Sequence, residues 1–263
     1  MQTMDSTLLT NQLASNLCWT YRTVGLYHKS MNIQAEVDLD DGWIDSIPGT
    51  GQSTRKRILI AAYHEIHFRG YQAASIQSII DQAGVTKGAL YHHFKSKHDV
   101  VLALIDEIYT RYVEETFIQP LEAGDDPISA LIGIVLAIRD RVTDQSVALG
   151  CPLDNLAQEM TPIDESVRQR VEQLYQRKLD TLVKAFKLGQ ARGTVRADMA
   201  AESLALMVSA TLQGCMSIAQ SARSVEALTQ CGQGLILYLQ QLREETARAG
   251  SHTENNNTDD AGI

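Results

Sequence analysis

Apolar positions in this chain recur at three- and four-residue spacings over most of its length, and strand-like alternation is absent. The pattern predicts an all-α protein. The first elements are short. One helix reads from about Ser53 to Arg69 and stops at Gly70, a residue suited to a left-handed cap. Ser75 caps a second helix ending near Gln82, Ala83-Gly84-Val85 forms a tight turn, and Thr86 caps a third helix through about His93. Two short helices joined by a Gly-containing turn describe a helix-turn-helix. Ile79 and Val85 are placed to hold the pair together over Leu90, which leaves Lys87, Tyr91 and His92 facing outward.

Longer helices follow. Ser96 with Asp99 opens a run whose face is Val101, Leu104, Ile105, Ile108 and Tyr112. Asp126-Pro127 opens another through Ile128, Leu131, Val135, Ile138 and Val142. Thr161-Pro162 is read as the same device, with Asp164 and Glu165 in the first turn of a helix carrying Val167, Val171, Tyr175, Leu179, Leu182 and Phe186. After Asp198 as cap, and again after Ser224, come two helices apolar on nearly every face, and such helices must be buried all round. Either helices of the same chain cover them or a second copy does. The second solution makes Leu204, Val208, Leu212, Leu228, Leu235 and Leu239 the expected interface of a homodimer.

This punctuation divides the chain into an N-terminal extension (residues 1–52), a helix-turn-helix domain (53–98), a larger helical regulatory and dimerisation domain (99–247) and a polar tail (248–263). The extension is rich in Ser, Thr, Asn, Asp and Gly and reads as flexible, unless translation starts downstream at Met31. No apolar run is long enough to span a bilayer, and the N-terminus lacks the form of a secretory signal, so a cytoplasmic protein without membrane contact is expected. The four cysteines, Cys18, Cys151, Cys215 and Cys231, show no paired spacing, which suits reduced thiols.

Charge adds the first functional hint. The net charge is −9, yet between Thr54 and His98 seven basic residues (Arg55, Lys56, Arg57, Arg69, Lys87, Lys95, Lys97) face only Glu65 and Asp81. A basic block on an acidic body fits a footprint on phosphate, or a solvated basic face. His64 and His67, three apart on one helix, have the spacing of metal ligands but no Cys or carboxylate partners nearby. Helix packing accounts for them, and no metal or cofactor is implied.

The run Ala83-Gly84-Val85-Thr86-Lys87-Gly88-Ala89-Leu90-Tyr91-His92-His93-Phe94-Lys95-Ser96-Lys97, with Ile58, Leu59, Ala62, Gly70 and Tyr71 upstream, resembles the DNA-binding domain of the tetracycline-repressor (TetR/AcrR) family. Ile66 and Ile80 depart from the family's usual Phe and Ala but remain apolar. The resemblance implies double-stranded operator DNA as partner. Ser75 and Thr86 would bring hydroxyls and helix N-termini to phosphates; Lys87, Gly88, Tyr91 and His92 would lie on the recognition helix; Lys95 and Lys97 would grip the backbone; Gln77 would reach a base or phosphate. It also implies a homodimer and a small-molecule effector in the helical body. Segment 150–164, GCPLDNLAQEMTPID, resembles the start of the regulatory helix in one subgroup.

Isolated polar groups on apolar helices, Asn155, Gln158, Tyr175 and Gln213, suit either a mostly apolar pocket or a plain core. Cys151 at a helix start would be a reactive thiolate, while a buried Cys151 would be a small hydrophobe. With no nucleophile elbow, metal cluster or phosphate loop, no catalytic residue is assigned. The expected function is a DNA-binding transcriptional regulator, a repressor released by its effector; an activator, or a redox sensor acting through Cys151, is the alternative.

Overall fold

The computed structural model of the chain describes residues 53–243; the expected extension and tail lie outside them. Three short helices come first: α1 (Thr54–Arg69), α2 (Ile76–Ala83) and α3 (Lys87–His93). Helix α4 (residues 97–123) is continuous but twice loosened, by π-helical turns at Leu104–Tyr109 and Glu114–Ile118. Then follow α5 (Pro127–Arg141), α6 (Asp144–Leu149), α7 (Pro152–Met160), α8 (Glu165–Ala191), α9 (Ala201–Ala222) and α10 (Val225–Gln241). Among the described residues the only strand-like pairing is one bridge between Val195 and Arg243.

The three N-terminal helices close over Ile58, Leu59, Ile79 and Leu90, all fully buried. This core does not stop at residue 98. It continues through Val100, Val101 and Ile105 of α4, Leu153 and Leu156 of α7, and Val167 and Val171 of α8. The expected domain boundary is therefore a change of role along one continuous packing unit. A second core joins the end of α4 to α5, α8, α9 and α10, around Leu131, Phe186, Leu204, Val208 and Leu239.

Three expectations need correction. Thr161-Pro162 does not open α8; Thr161 ends α7, and the Asp164 carboxylate is the true cap, accepting from the Val167 amide at 3.0 Å. Asp198 does not cap α9, because Arg196 holds its carboxylate as an ion pair; the cap position is Ala200, without a side-chain bond. Most important, Leu204, Val208, Leu228, Leu235 and Leu239 point into the protomer, and Leu212 lines an internal cavity. α9 and α10 are apolar on two faces, and hydrophobicity alone does not say which face meets α5 and α8. The outward face carries Leu206, Met207, Ile218 and Leu237, between 54% and 63% exposed.

Asp126 opens α5 as the sequence predicts. Its carboxylate accepts from the Ile128 and Ser129 amides at 3.0 and 3.3 Å and pairs with Arg243 at 2.7 Å, tying the two ends of the regulatory body. Partial burial raises its pKa, but the hydrogen bonds from Ser129 and Arg243, the Arg243 charge and the Ile128 amide outweigh burial and hold it below 3.8. A carboxyl depressed on folding stabilises the protein fully above its unfolded value, and the contribution fades as pH falls through the folded one. Asp126→Ala should cost about 1–2 kcal/mol near neutrality, seen as a lower urea midpoint. The difference from wild type should shrink progressively below about pH 4.

Candidate nucleic-acid interface and internal cavity

The helix-turn-helix is fixed by two residues that sequence reasoning did not single out. Glu65 of α1 is 3% exposed, and its carboxylate accepts from the Ser75 amide (3.1 Å), the Ser78 hydroxyl (2.7 Å) and the Gln82 side chain (3.0 Å), with Arg69 at 3.3 Å. It fastens α2 to α1. Arg57 donates to the carbonyls of Ala83 and Gly84, the last of α2 and the first of the turn. Gly84 takes φ 59° and ψ 41°, the left-handed conformation the motif requires. An acid inside the otherwise apolar face of α1 was the available signal for Glu65; Arg57 had none, since its partners are backbone carbonyls.

Ser75 and Thr86 cap α2 and α3 through their side-chain oxygens, leaving each hydroxyl proton free to donate outward. Lys87, Gly88, Tyr91 and His92 are exposed on α3, with the Lys87 ammonium 6.0 Å from the Tyr91 ring centre. Lys95 is exposed just beyond. Gln77 is exposed, but its amide donates to Asp81 at 2.8 Å and must leave that bond to reach a base.

Lys97 has a different role from the one expected. Its ammonium donates to the carbonyls of Tyr71, Gln72 and Ala74 at 2.7, 3.3 and 2.9 Å and lies 4.5 Å from the Tyr71 ring centre. With three acceptors inside the protein, it holds the turn between α1 and α2, and phosphate would have to compete with them. The same turn is gripped from the other side. Glu159 of α7 accepts from the Tyr71 and Gln72 amides at 2.7 and 2.8 Å. Gly70, at φ 78°, lets the carboxylate approach so closely that a Cβ there would lie 3.0 Å from Oε2. One further link joins the first helices to the body, where the His67 ring donates to the Gly150 carbonyl at 2.9 Å, and within the body His98 at the start of α4 meets Asp164 at 2.9 Å.

Behind these links lies a partly open cavity of about 620 Å³ lined mainly by α4, α5, α7, α8, α9 and α10, with Tyr63 and His67 of α1 and Ser146 of α6 at its edge. Its walls are mainly apolar, with Val135, Leu212 and Ile236 among them, and a few polar groups converge. Asp154 accepts from the Tyr175 hydroxyl and from Gln213 at 3.2 Å, and Lys178 sits alongside, 6% exposed. Of the residues expected in a ligand pocket, Cys151, Tyr175 and Gln213 line this cavity. Asn155 and Gln158 do not. They line a smaller adjoining depression, which shares Cys151, Asp154, Tyr175 and Gln213 with the cavity; there Asn155 donates to the Leu149 carbonyl at 2.6 Å. Asn155 is turned about 100° around the helix from Asp154, whereas Gln158 shares its face one turn further on.

Cys151 does begin α7, but the helix dipole does not make it a thiolate. Burial, with Asp154 adding to it, pushes its pKa up to about 12, against the two amides of Leu153 and Asp154 that favour the anion. Burial likewise raises Cys215, to about 12. Of the two readings of Cys151, the protonated packing thiol is the one this environment favours: desolvation outweighs the helix N-terminus.

The two lysines that end the motif should separate cleanly. Lys95→Ala should weaken binding to every DNA sequence and lower the slope of log affinity against log salt by about one unit. Lys97→Met should leave that slope unchanged while lowering the melting temperature, because it strips three carbonyls of their donor. Fluorescence anisotropy over a salt series, with a thermal melt of each variant, checks both.

Comparison with known proteins places this geometry. Residues 58–104 match the family model "Bacterial regulatory proteins, tetR family", and residues 127–235 match "Tetracyclin repressor-like, C-terminal domain". A Lactococcus lactis subsp. lactis protein described as an uncharacterized HTH-type transcriptional regulator in the lacX 3' region is 30% identical over 124 residues, 47% of this chain and 63% of that protein. The HTH-type transcriptional repressor DhaR of Mycobacterium sp. (strain GP1) is 29% identical over 163 residues, 62% of this chain and 80% of the relative. Among solved structures, a TetR transcriptional regulator from Chloroflexus aurantiacus J-10-FL is 28% identical with a TM-score of 0.64, covering 74% of this chain and 98% of that one. With both models matching in order on one continuous helical scaffold, the chain belongs to the TetR family and is a DNA-binding transcriptional regulator.

Proposed function

We propose that the protein is a cytoplasmic, homodimeric repressor that leaves its operator when a small molecule enters the cavity between α4 and α10. The observation that carries this reading is the physical link between the two sites. α7 has Cys151 and Asp154 at the cavity and Glu159 on the turn that holds the DNA-reading helices. A ligand that shifts α7 acts on that turn directly, by as much as its affinities for the two states differ. Relatives named as repressors, DhaR among them, favour repression over activation.

The outward face of α9 and α10 supports the dimer. Leu206, Met207 and Ile218 flank Ala210 and Gly214 on one stripe of α9, and Leu237 stands next to the exposed Gly234 on α10. A Cβ at Gly214 or Gly234 would meet nothing within 4 Å, so the face has room for another helix to approach closely. Apolar area of this kind marks an interface, and a two-fold axis through it would present two copies of α3 to half-sites about 34 Å apart.

DNA enriched from a random pool by the purified protein should contain a palindrome with half-sites one helical turn apart; recovery of no common sequence would refute operator recognition. The double variant Leu206→Glu, Leu237→Glu should sediment as a folded monomer and bind that palindrome at least a hundredfold more weakly, because one half-site forfeits the second set of contacts. A variant that remains dimeric and binds normally would place the interface elsewhere.

A further inference from the structure

The cavity contains one charge that the protein itself does not answer. Lys178, on the face of α8 turned to the cavity, is 6% exposed, and among the described residues its ammonium makes no hydrogen bond and no ion pair. Its neighbours are aromatic faces: the Phe117 ring centre lies 4.9 Å away and that of Tyr175 5.8 Å away. A cation over two rings keeps part of the stabilisation it had in water, but no acceptor receives its protons. Burial lowers its pKa, opposed by the nearby Asp154 carboxylate.

Asp154 is the acid able to act on it, yet its Oδ1 is taken by the Tyr175 hydroxyl and the Gln213 amide, and no ion pair to Lys178 forms. Thr116, beside Phe117 in the same wall, is also buried, and its hydroxyl has no partner. An amine and a hydroxyl donor, both on buried residues and both unanswered, bound a space whose other walls are mainly apolar. A buried polar group left unpaired is costly, so its persistence calls for a partner that arrives.

We infer that the effector of this protein is a small organic anion, a carboxylate on an apolar body, whose oxygens take up the Lys178 ammonium. This rests on the proposal that the cavity is the effector site and adds the chemical class of its occupant. The carboxylate supplies the missing acceptor to a buried cation, and a charge-assisted bond is stronger away from bulk water. The apolar body fills the walls formed by Val135, Leu212 and Ile236. Arg139 and Arg141, exposed among the cavity-lining residues, favour entry of an anion, although Asp140 pairs with Arg139.

The probes are octanoate and benzoate, each against its amide, octanamide and benzamide, which keep shape and lose charge. Calorimetry on the wild-type protein should show a carboxylate binding at least tenfold more tightly than its amide. In Lys178→Met, which keeps the length and removes the charge, the preference should fall below twofold with the fold intact by circular dichroism. Lys178→Arg should retain it. If Lys178→Met does not fold, Lys178→Gln carries the same comparison. Amides binding as well as carboxylates, no carboxylate binding at millimolar concentration, or a preference that survives loss of the amine would each overturn the inference. Release of the enriched DNA, followed on the same samples, separates this from the reading beneath it. Lys178-dependent carboxylate binding without release leaves the anion site standing and refutes the effector role; release by neutral ligands does the reverse.

Discussion

The DNA-reading helices are tied to the rest of the molecule through one short turn, residues 70–75, claimed by opposite charges from two helices. The turn leaves backbone amides and carbonyls at the end of α1 and the start of α2 without helical partners, and such groups must be satisfied when shielded from water. Glu159 accepts from two of the amides, while Lys97 donates to three of the carbonyls. Bonds to ionised groups are among the stronger hydrogen bonds in proteins. Because Glu159 sits on α7 and Lys97 on α4, the DNA-reading helices are attached to the regulatory body through their own connecting turn, on top of a shared apolar core.

The arrangement makes α7 a strut. It is nine residues long, about 13 Å by the rise of an α-helix, with the cavity at one end and the turn at the other. Its start is held as firmly as its finish. Gly150 accepts from His67 of α1, and the Leu149 carbonyl accepts from both Asn155 and Gln220. A movement of the cavity wall at Asp154 thus has few places to go except along the helix. The same packing bears on Cys151: for a half-buried thiol at the head of α7, the position near the helix dipole counts for less than the loss of water.

Much of this was legible in the sequence, and the division is physical. Caps act within three residues, so Ser75, Thr86, Ser96, Asp126 and Ser224 announced their helices correctly. The recognition surface was legible because α3 has a single buried anchor, Leu90, and the rest of it must face out. What the sequence concealed depends on distant partners. Glu159 meets amides 87 and 88 positions away, and Lys97 meets carbonyls more than twenty away, so neither spacing nor period reveals them. The face of α9 and α10 was misjudged for a related reason. A helix apolar on two sides leads to the forecast of burial on both, yet Leu204 and Leu206 are equally apolar, and only the placement of α5 and α8 tells which side is inward.

The most direct test of the strut is amide hydrogen exchange at Tyr71 and Gln72 in the wild-type protein and in Glu159→Ala. If these two amides owe their protection to the α7 carboxylate, they should exchange at least tenfold faster in the variant, while the α3 amide of Leu90, bonded to the Thr86 carbonyl, keeps its protection. Unchanged protection at Tyr71 and Gln72 would mean that the turn is held without α7, and the link from cavity to DNA would have to run elsewhere.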